Sequence, residues 1–194
     1  MDVAGANQFI LEKLKRELSP KLYYHSVEHV LDVHEQAMAM ALKEKLSPYE
    51  KNLLSTAVYY HDSGFLFQTN GHEERSCEIA GGILPQFGFT EKDILLIQNL
   101  IRATRIPQTP KNLLEEIICD ADLDYLGRDD FFDIGQLLFR ELCDLGVLKT
   151  EEQWNKLQVQ FLENHHYFTH YAKTFREKKK ESHLNTIKSL VKTH

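Results

Sequence analysis

Three separate stretches of the sequence contain histidines and aspartates that could bind one metal ion together. They are "YYHSVEHV" with His25 and His29, "AVYYHDSGF" with His61 and Asp62, and "IICDADLDYLG" with Asp120, Asp122 and Asp124. Imidazole nitrogens and carboxylate oxygens bind several divalent ions. A mixed site of this kind could activate water or hold a phosphate.

The His61-Asp62 pair ends an apolar run and is followed by Gly64. The preceding Leu54, Ala57, Val58 and Tyr60 are expected to set this helix end inside the protein. Gly64 leaves the backbone free to bring both side chains to one ion. A buried carboxylate needs a partner that offsets its desolvation, and a cation does this most strongly. The context therefore favours a metal ligand pair.

His25 and His29 are four residues apart, so on one helix both imidazoles would project from the same face. One site could then use both rings. Val30 and Val33 continue an apolar stripe nearby. Taken alone, the pair also fits a core-edge His29 that is satisfied by a carbonyl.

Only one of the three aspartates at 120–124 is expected to face the core. On a helix Asp120 and Asp124 share a face, whereas Asp122 points towards the face of Ile118. Asp122 is therefore the ligand candidate. The stretch could also form a surface turn or a calcium loop, but it lacks the glutamate at position twelve of an EF-hand loop.

The elements that must position these residues are helices, because apolar residues recur at about 3.6-residue steps and clean alternation is absent. Capping patterns at Ser47, Thr90 and Thr150 predict helix starts. We predict an all-α bundle in one domain over 1–194, with a core at about 22–170 and a basic C-terminal helix at about 171–190. The predicted helices cover 4–18, 25–45, 48–61, 72–84, 91–103, 111–124, 129–145, 151–169 and 171–190.

Charge and composition exclude several classes of function. The formal net charge of -6 argues against a nucleic-acid binder. No apolar run approaches a membrane span, no signal peptide is evident, and three unpaired cysteines fit a reducing cytoplasm. The basic tail "REKKKESHLNTIKSLVKTH" is either a solvated helix face or a contact for an acidic partner.

The order His29, His61-Asp62, Asp122 resembles the H…HD…D pattern of the HD-domain superfamily of metal-dependent phosphohydrolases. The likeness covers roughly 22–170. It implies an all-α bundle with the metal site among the central helices, and a metal ligand set of His29, His61, Asp62 and Asp122. It also implies one divalent ion per chain, which could be Mn, Ni, Co, Zn, Fe or Mg.

Two further likenesses assign roles near that site. "YHSVEH" is similar to the YHNxxH segment of cyclic-nucleotide phosphodiesterases, which implies that His25 is the general acid, although a structural role is also possible for it. "GHEERSCEIA" places His72 where two-metal relatives have a ligand of a second ion. Such relatives carry another histidine where this chain has Ala103, so we expect one ion, with His72 as a phosphate contact or a partial ligand of a second site.

Arg75, Arg102 and Arg105 are the candidate phosphate contacts, because guanidinium groups match phosphate oxygens in a bidentate way. Solvated arginines are the alternative. The His165-His166 pair is expected to be structural or to stack on a nucleotide base. Neither set can be placed by spacing alone.

The resemblance implies hydrolysis of a phosphate ester of a nucleotide or related small phosphorylated metabolite. Metal-activated water would attack phosphorus, Asp62 would orient it, and His25 would protonate the leaving oxygen. One alternative is an HD module that senses nucleotide or binds a partner without turnover. Another is a di-iron enzyme resembling inositol oxygenase, against which Ala103 counts.

Overall fold

The structure is a computed structural model that describes residues 1–192, with side chains described through residue 191. Within these residues it contains α-helices and short 3₁₀ helices and no β-strand. The all-α fold expected from the helical spacing is therefore confirmed. The chain divides into two compact units, one of Met1–Pro20 with His25–Asp122 and one of Lys21–Tyr24 with the residues from Leu123 onward.

The first unit contains six α-helices and two 3₁₀ helices among the described residues. The α-helices are α1 (Val3–Glu17), α2 (Val27–Lys43), α3 (Pro48–Tyr60), α4 (His72–Ile83), α5 (Glu91–Ala103) and α6 (Leu113–Asp122). The 3₁₀ helices are Ser63–Leu66 and Leu84–Phe87. The 3₁₀ helix Ser63–Leu66 was not predicted, and it immediately follows the His61-Asp62 pair.

Local capping explains where several of these helices begin. The Ser47 and Thr90 side chains accept hydrogen bonds from the backbone N–H groups of Glu50 and Asp93, and both sites form complete capping boxes. Each cap satisfies backbone donors that the first helical turn leaves free. The predicted starts of α3 and α5 are confirmed.

Helix α3 lies at the centre of the first unit and packs against α1, α2 and α5. Its residues Leu54, Ala57, Val58 and Tyr60 are completely buried, as the apolar run predicted. The hydroxyl of Tyr60 donates a hydrogen bond to the carbonyl of Ala6 over 3.1 Å. Burial of this whole stretch fixes the helix end that carries His61.

The second unit contains a 3₁₀ helix, Asp124–Gly127, and four α-helices among the described residues. These are α7 (Phe131–Asp144), α8 (Glu151–Asn164), α9 (His170–Phe175) and α10 (Glu177–Lys192). The prediction of one helix over 151–169 was wrong, because His165 has extended backbone angles and ends α8. The predicted helix at 171–190 is divided between α9 and α10 at Arg176.

Buried polar contacts hold the second unit together. Arg176 Nε donates to Asp124 Oδ1 over 2.9 Å, and the backbone N–H of Tyr24 donates to the Glu141 carboxylate over 2.9 Å. Both acids are almost completely buried. The single-domain organisation stays a prediction, and the end of the basic tail at 193–194 lies outside the described residues. No helix within 1–192 has the length and apolar character needed to cross a membrane.

Candidate metal centre

The four predicted metal ligands come from the ends of three helices in the first unit. His29 lies in the first turn of α2, His61 follows the last residue of α3, Asp62 comes next, and Asp122 ends α6. These three helices pack against one another. Helix ends leave side chains free to converge, whereas neighbours inside a helix would point about 100° apart.

The side chains of these four residues converge on one small volume. His29 Nε2 lies 3.2 Å from Asp122 Oδ1 and 3.6 Å from Asp62 Oδ2. His61 Nε2 lies 3.3 Å from Asp62 Oδ2 and 3.4 Å from Asp122 Oδ1. Ligand atoms held about 2.0–2.2 Å from one ion lie about 3.0–3.5 Å from each other. The spacing of the four atoms therefore fits a shared cation.

Two of these atoms also lack a hydrogen-bond partner. His61 Nε2 and Asp62 Oδ2 are both buried without one, although unpaired buried polar atoms are costly. A cation between them would satisfy both atoms. Two carboxylates and two neutral imidazoles also match the charge of a divalent ion, so the residues present fit the metal that the fold implies.

The tautomer of His61 is set for metal binding. Its Nδ1 donates a hydrogen bond to the carbonyl of Val58 over 2.7 Å, so when the ring is neutral Nδ1 carries the proton and Nε2 has the lone pair. A hydrogen bond of this type orients most metal-binding histidines. The carbonyl belongs to the last turn of α3, so the helix itself aims the ring.

The charges of the cluster shift the pKa values of its members in opposite directions. Burial opposes a charge on His61, but the Asp62 and Asp122 carboxylates outweigh it and raise the His61 pKa well above its ordinary value. Burial would raise the pKa of Asp122, yet contacts with His29 and His61 lower it to about 2. The carboxylates are thus ionised, and a cation must displace a proton from His61 to bind.

His25 does not lie on α2, contrary to the helical geometry expected for "YHSVEH". Ser26 caps the helix, so His25 precedes it and the two histidines do not share a helical face. Their rings still approach to 6.2 Å between centroids. The ring of His25 also lies 6.2 Å from that of His72, so the predicted general acid lies beside the cluster although it is not on α2.

His72 is the first residue of α4 and reaches the opposite side of Asp62. Its Nε2 lies 3.3 Å from Asp62 Oδ1, and its Nδ1 hydrogen bonds to the carbonyl of Thr69 over 3.0 Å. Asp62 therefore directs Oδ2 towards His29 and His61 and Oδ1 towards His72. The pKa of His72 is raised, because the Asp62 carboxylate outweighs the effect of burial.

The three predicted phosphate-binding arginines all have acidic partners. The pairs are Arg75 with Glu78, Arg102 with Glu74 through two hydrogen bonds, and Arg105 with Glu73 at 3.7 Å. A guanidinium held by a carboxylate is less available to phosphate. Arg105 remains half exposed and has the longest of these contacts. A phosphate-binding role for the three arginines stays a prediction.

The expectation that Asp122 alone of the three aspartates of "DADLD" would face the core is wrong, because Asp120 and Asp124 are completely buried and Asp122 is only part-buried. Asp122 joins the cluster, whereas Asp124 belongs to the second unit and pairs with Arg176. Asp120 is completely buried two residues before Asp122. His165 also belongs to the second unit, where Lys180 Nζ donates to its carbonyl over 2.6 Å, and His166 contacts Phe168.

Two residues beside the cluster were not predicted from the sequence. The buried Glu73 lies 3.9 Å from His72 and pairs with Arg105. The ring of Phe65 stacks on both His25 and His72. The Phe65 contact with His72 depends on how α4 packs against the 3₁₀ helix, and the Glu73–Arg105 pair depends on how α4 lies against the segment after α5.

Comparison with solved structures identifies the fold around this cluster. The chain is similar to a crystal structure described as a predicted HD superfamily hydrolase from an uncultured Thermotogales bacterium, with a TM-score of 0.63 and 20% identity. The match covers 96% of this chain and 91% of the other. No family model and no curated protein matches the sequence. The chain thus has the HD-domain fold, and the fold implied by the H…HD…D resemblance is confirmed.

Proposed function

We propose that this protein is a metal-dependent phosphohydrolase that acts on a phosphate ester of a nucleotide or related small metabolite. The observation that carries the proposal is the cluster of His29, His61 and Asp122 with Asp62 beside both histidines, in which two buried atoms lack a partner. The neighbour with the same fold is described as a predicted hydrolase. Phosphate esters are the substrate class that the resemblance to HD-domain enzymes supports.

The four ligands would hold one divalent ion. When bound, such an ion supplies Lewis acidity to a phosphate oxygen and lowers the pKa of a water molecule to about 7. His61 is fixed by its bond to Val58, and His29 by its place in the first turn of α2. Little rearrangement is therefore needed for binding.

Asp62 and His25 would handle the protons of the reaction. Asp62 Oδ1 faces away from His29 and His61, so it can accept a hydrogen bond from the attacking water while Oδ2 serves as a ligand. His25 is only part-buried at the edge of the cluster. It would give its proton to the leaving oxygen as the phosphorus–oxygen ester bond breaks.

His72 and Arg105 are the proposed contacts for non-reacting phosphate oxygens. His72 Nε2 lies 3.3 Å from Asp62 Oδ1 and would donate to a bound phosphate by turning its N–H from that carboxylate oxygen. Arg105 is the most exposed of the three arginines. Moving its guanidinium from Glu73 to a phosphate therefore has the lowest desolvation cost of the three. Arg75 and Arg102 could join only by leaving Glu78 and Glu74.

A substrate panel tests this function. Metal-free protein is loaded in turn with Mn, Ni, Co, Zn, Fe and Mg and assayed for phosphate release from mononucleotides, dinucleotides, cyclic nucleotides and simple phosphomonoesters. We expect turnover with at least one ion, loss of it in Asp62→Asn, and retention in Asp120→Asn. Absence of turnover in every combination would refute hydrolysis of these esters.

The ion pairs of Arg75 and Arg102 favour a second candidate, a module that binds nucleotide without hydrolysing it. A site whose arginines are held by carboxylates is less suited to clamp a transition state. The discriminating measurement is the unfolding temperature with added nucleotide. Stabilisation without product formation would support the module, whereas turnover would exclude it.

A further inference from the structure

The ring of Phe65 packs against two histidines, His25 and His72, that do not share a helix. Its centroid lies 4.1 Å from that of His25 with an interplanar angle of 25°, and 4.1 Å from that of His72 with an angle of 27°. His25 precedes α2 and His72 begins α4. Phe65 therefore contacts both rings that border Asp62 from outside the four-ligand cluster.

His25 needs such a contact because its backbone gives the ring little support. It precedes the N-cap Ser26, in a segment of bends rather than helix. A ring on a non-helical segment is held mainly by what it packs against. Stacking of two aromatic rings favours a limited set of separations and tilts, so the Phe65 face restricts how the His25 ring can rotate.

The position of Phe65 is itself tied to the metal ligand Asp62. The backbone N–H of Phe65 donates to the carbonyl of Asp62 over 3.0 Å. In a 3₁₀ helix, side chains three residues apart lie on the same side, which places the Phe65 ring on the side of the Asp62 carboxylate. The preceding N–H, of Gly64, donates to Ser76 Oγ on α4 over 2.8 Å.

We propose that Phe65 is a positioning residue that holds the rings of His25 and His72 beside the Asp62 carboxylate. The role in catalysis rests on the proposed function, because it assumes that His25 donates a proton and His72 contacts phosphate. The role in ring placement rests on the contacts of Phe65 alone. The two parts can be measured separately.

Three variants isolate the ring of Phe65. Phe65→Leu removes the aromatic face but keeps a large apolar side chain, and Phe65→Tyr keeps the face. Phe67→Leu is the matched control, since Phe67 lies two residues later, is 56% exposed and packs under Arg75 instead. Circular dichroism and metal content establish that each variant folds and retains its ion.

The first measurement is the NMR spectrum of the histidine ring protons, assigned with His25→Gln and His72→Gln. The ring current of Phe65 should shift the signals of both rings in the native protein and in Phe65→Tyr and Phe67→Leu. Phe65→Leu should lose the shift at both. Unchanged His25 and His72 signals in Phe65→Leu would overturn the proposal, whether or not a substrate is known.

The second measurement is turnover of the substrate found in the panel. Phe65→Leu should lower kcat by about tenfold or more, within the ~10²-fold or larger contribution of a placed general acid, and raise KM through the displaced phosphate contact His72, and Phe65→Tyr should restore both. Native kcat in Phe65→Leu would overturn the catalytic part. If no substrate is turned over, the hydrolase proposal fails while the NMR result still decides ring placement.

Discussion

Replacement of Gly64 by alanine should disrupt the connection between the His61-Asp62 pair and α4. A Cβ at Gly64 would lie 2.0 Å from the carbonyl oxygen of His72, and 2.7 and 2.8 Å from its carbonyl carbon and Cα. Ordinary contact begins near 3.4 Å, so the two backbones must separate by about 1.4 Å. Both are backbone segments, and neither can rotate away.

The cost of this change follows from overpacking and from a lost hydrogen bond. Overpacking of a closely packed site costs about 1–3 kcal/mol. Separation of the backbones also breaks the buried bond from Gly64 N–H to Ser76 Oγ, which adds about 1–3 kcal/mol. We expect Gly64→Ala to lose about 2–6 kcal/mol of unfolding free energy and to weaken metal binding, because the ligand Asp62 moves with the displaced backbone.

The assay is urea unfolding followed by circular dichroism, because the single tryptophan, Trp154, lies in the second unit. Gly82→Ala on α4 is the matched control. A Cβ at Gly82 meets nothing within 4 Å, so this change should be neutral or stabilise by up to about 1 kcal/mol. Native stability and native metal content in Gly64→Ala would refute the close backbone approach.

Two further predictions concern the second unit. Burial and the charge of Lys180 lower the pKa of His165 to about 3. Below pH ~6.5 the unfolded chain therefore binds a proton that the folded chain does not. The free energy of unfolding should fall as the pH drops from about 6.5 to 3, by at most about 2 kcal/mol at pH 5. His165→Asn should flatten the dependence of the unfolding free energy on pH, measured by urea unfolding, and His166→Asn should not. Equal pH dependence in the native protein and both variants would contradict the assignment of this effect to His165. Arg176→Met should lower the free energy of unfolding by about 3 kcal/mol, because buried Asp124 loses the hydrogen bond from Arg176. The double variant with Asp124→Asn should recover much of that loss, and simple additivity of the two changes would argue against the pairing.

The helices could be predicted from the sequence because their signals are local. Apolar residues at helical spacing and the caps at Ser47 and Thr90 gave α3 and α5 within a residue. The missed break at His165 has a tertiary cause, since its carbonyl accepts a hydrogen bond from Lys180. No periodicity in 151–169 encodes that contact.

The candidate site was predictable only where ligand chemistry marks a residue. Histidine and aspartate in the order His29, His61-Asp62, Asp122 indicated the cluster. The partners of Arg102 and Arg105, Glu74 and Glu73, depend on how α4 packs against the end of α5, whereas the Arg75–Glu78 pair lies within α4 at i,i+3 spacing. The Ser26 cap is different, because a serine before an apolar run signals a helix start and would have placed His25 outside α2.

The central claim is that His29, His61, Asp62 and Asp122 bind one divalent ion. The most direct measurement is elemental analysis of the purified protein after dialysis, compared with Asp122→Asn and Asp120→Asn prepared in the same way. We predict close to one ion per chain in the native protein and in Asp120→Asn, and almost none in Asp122→Asn. Full occupancy in Asp122→Asn, or a native protein that binds none of the six ions, would contradict the assignment.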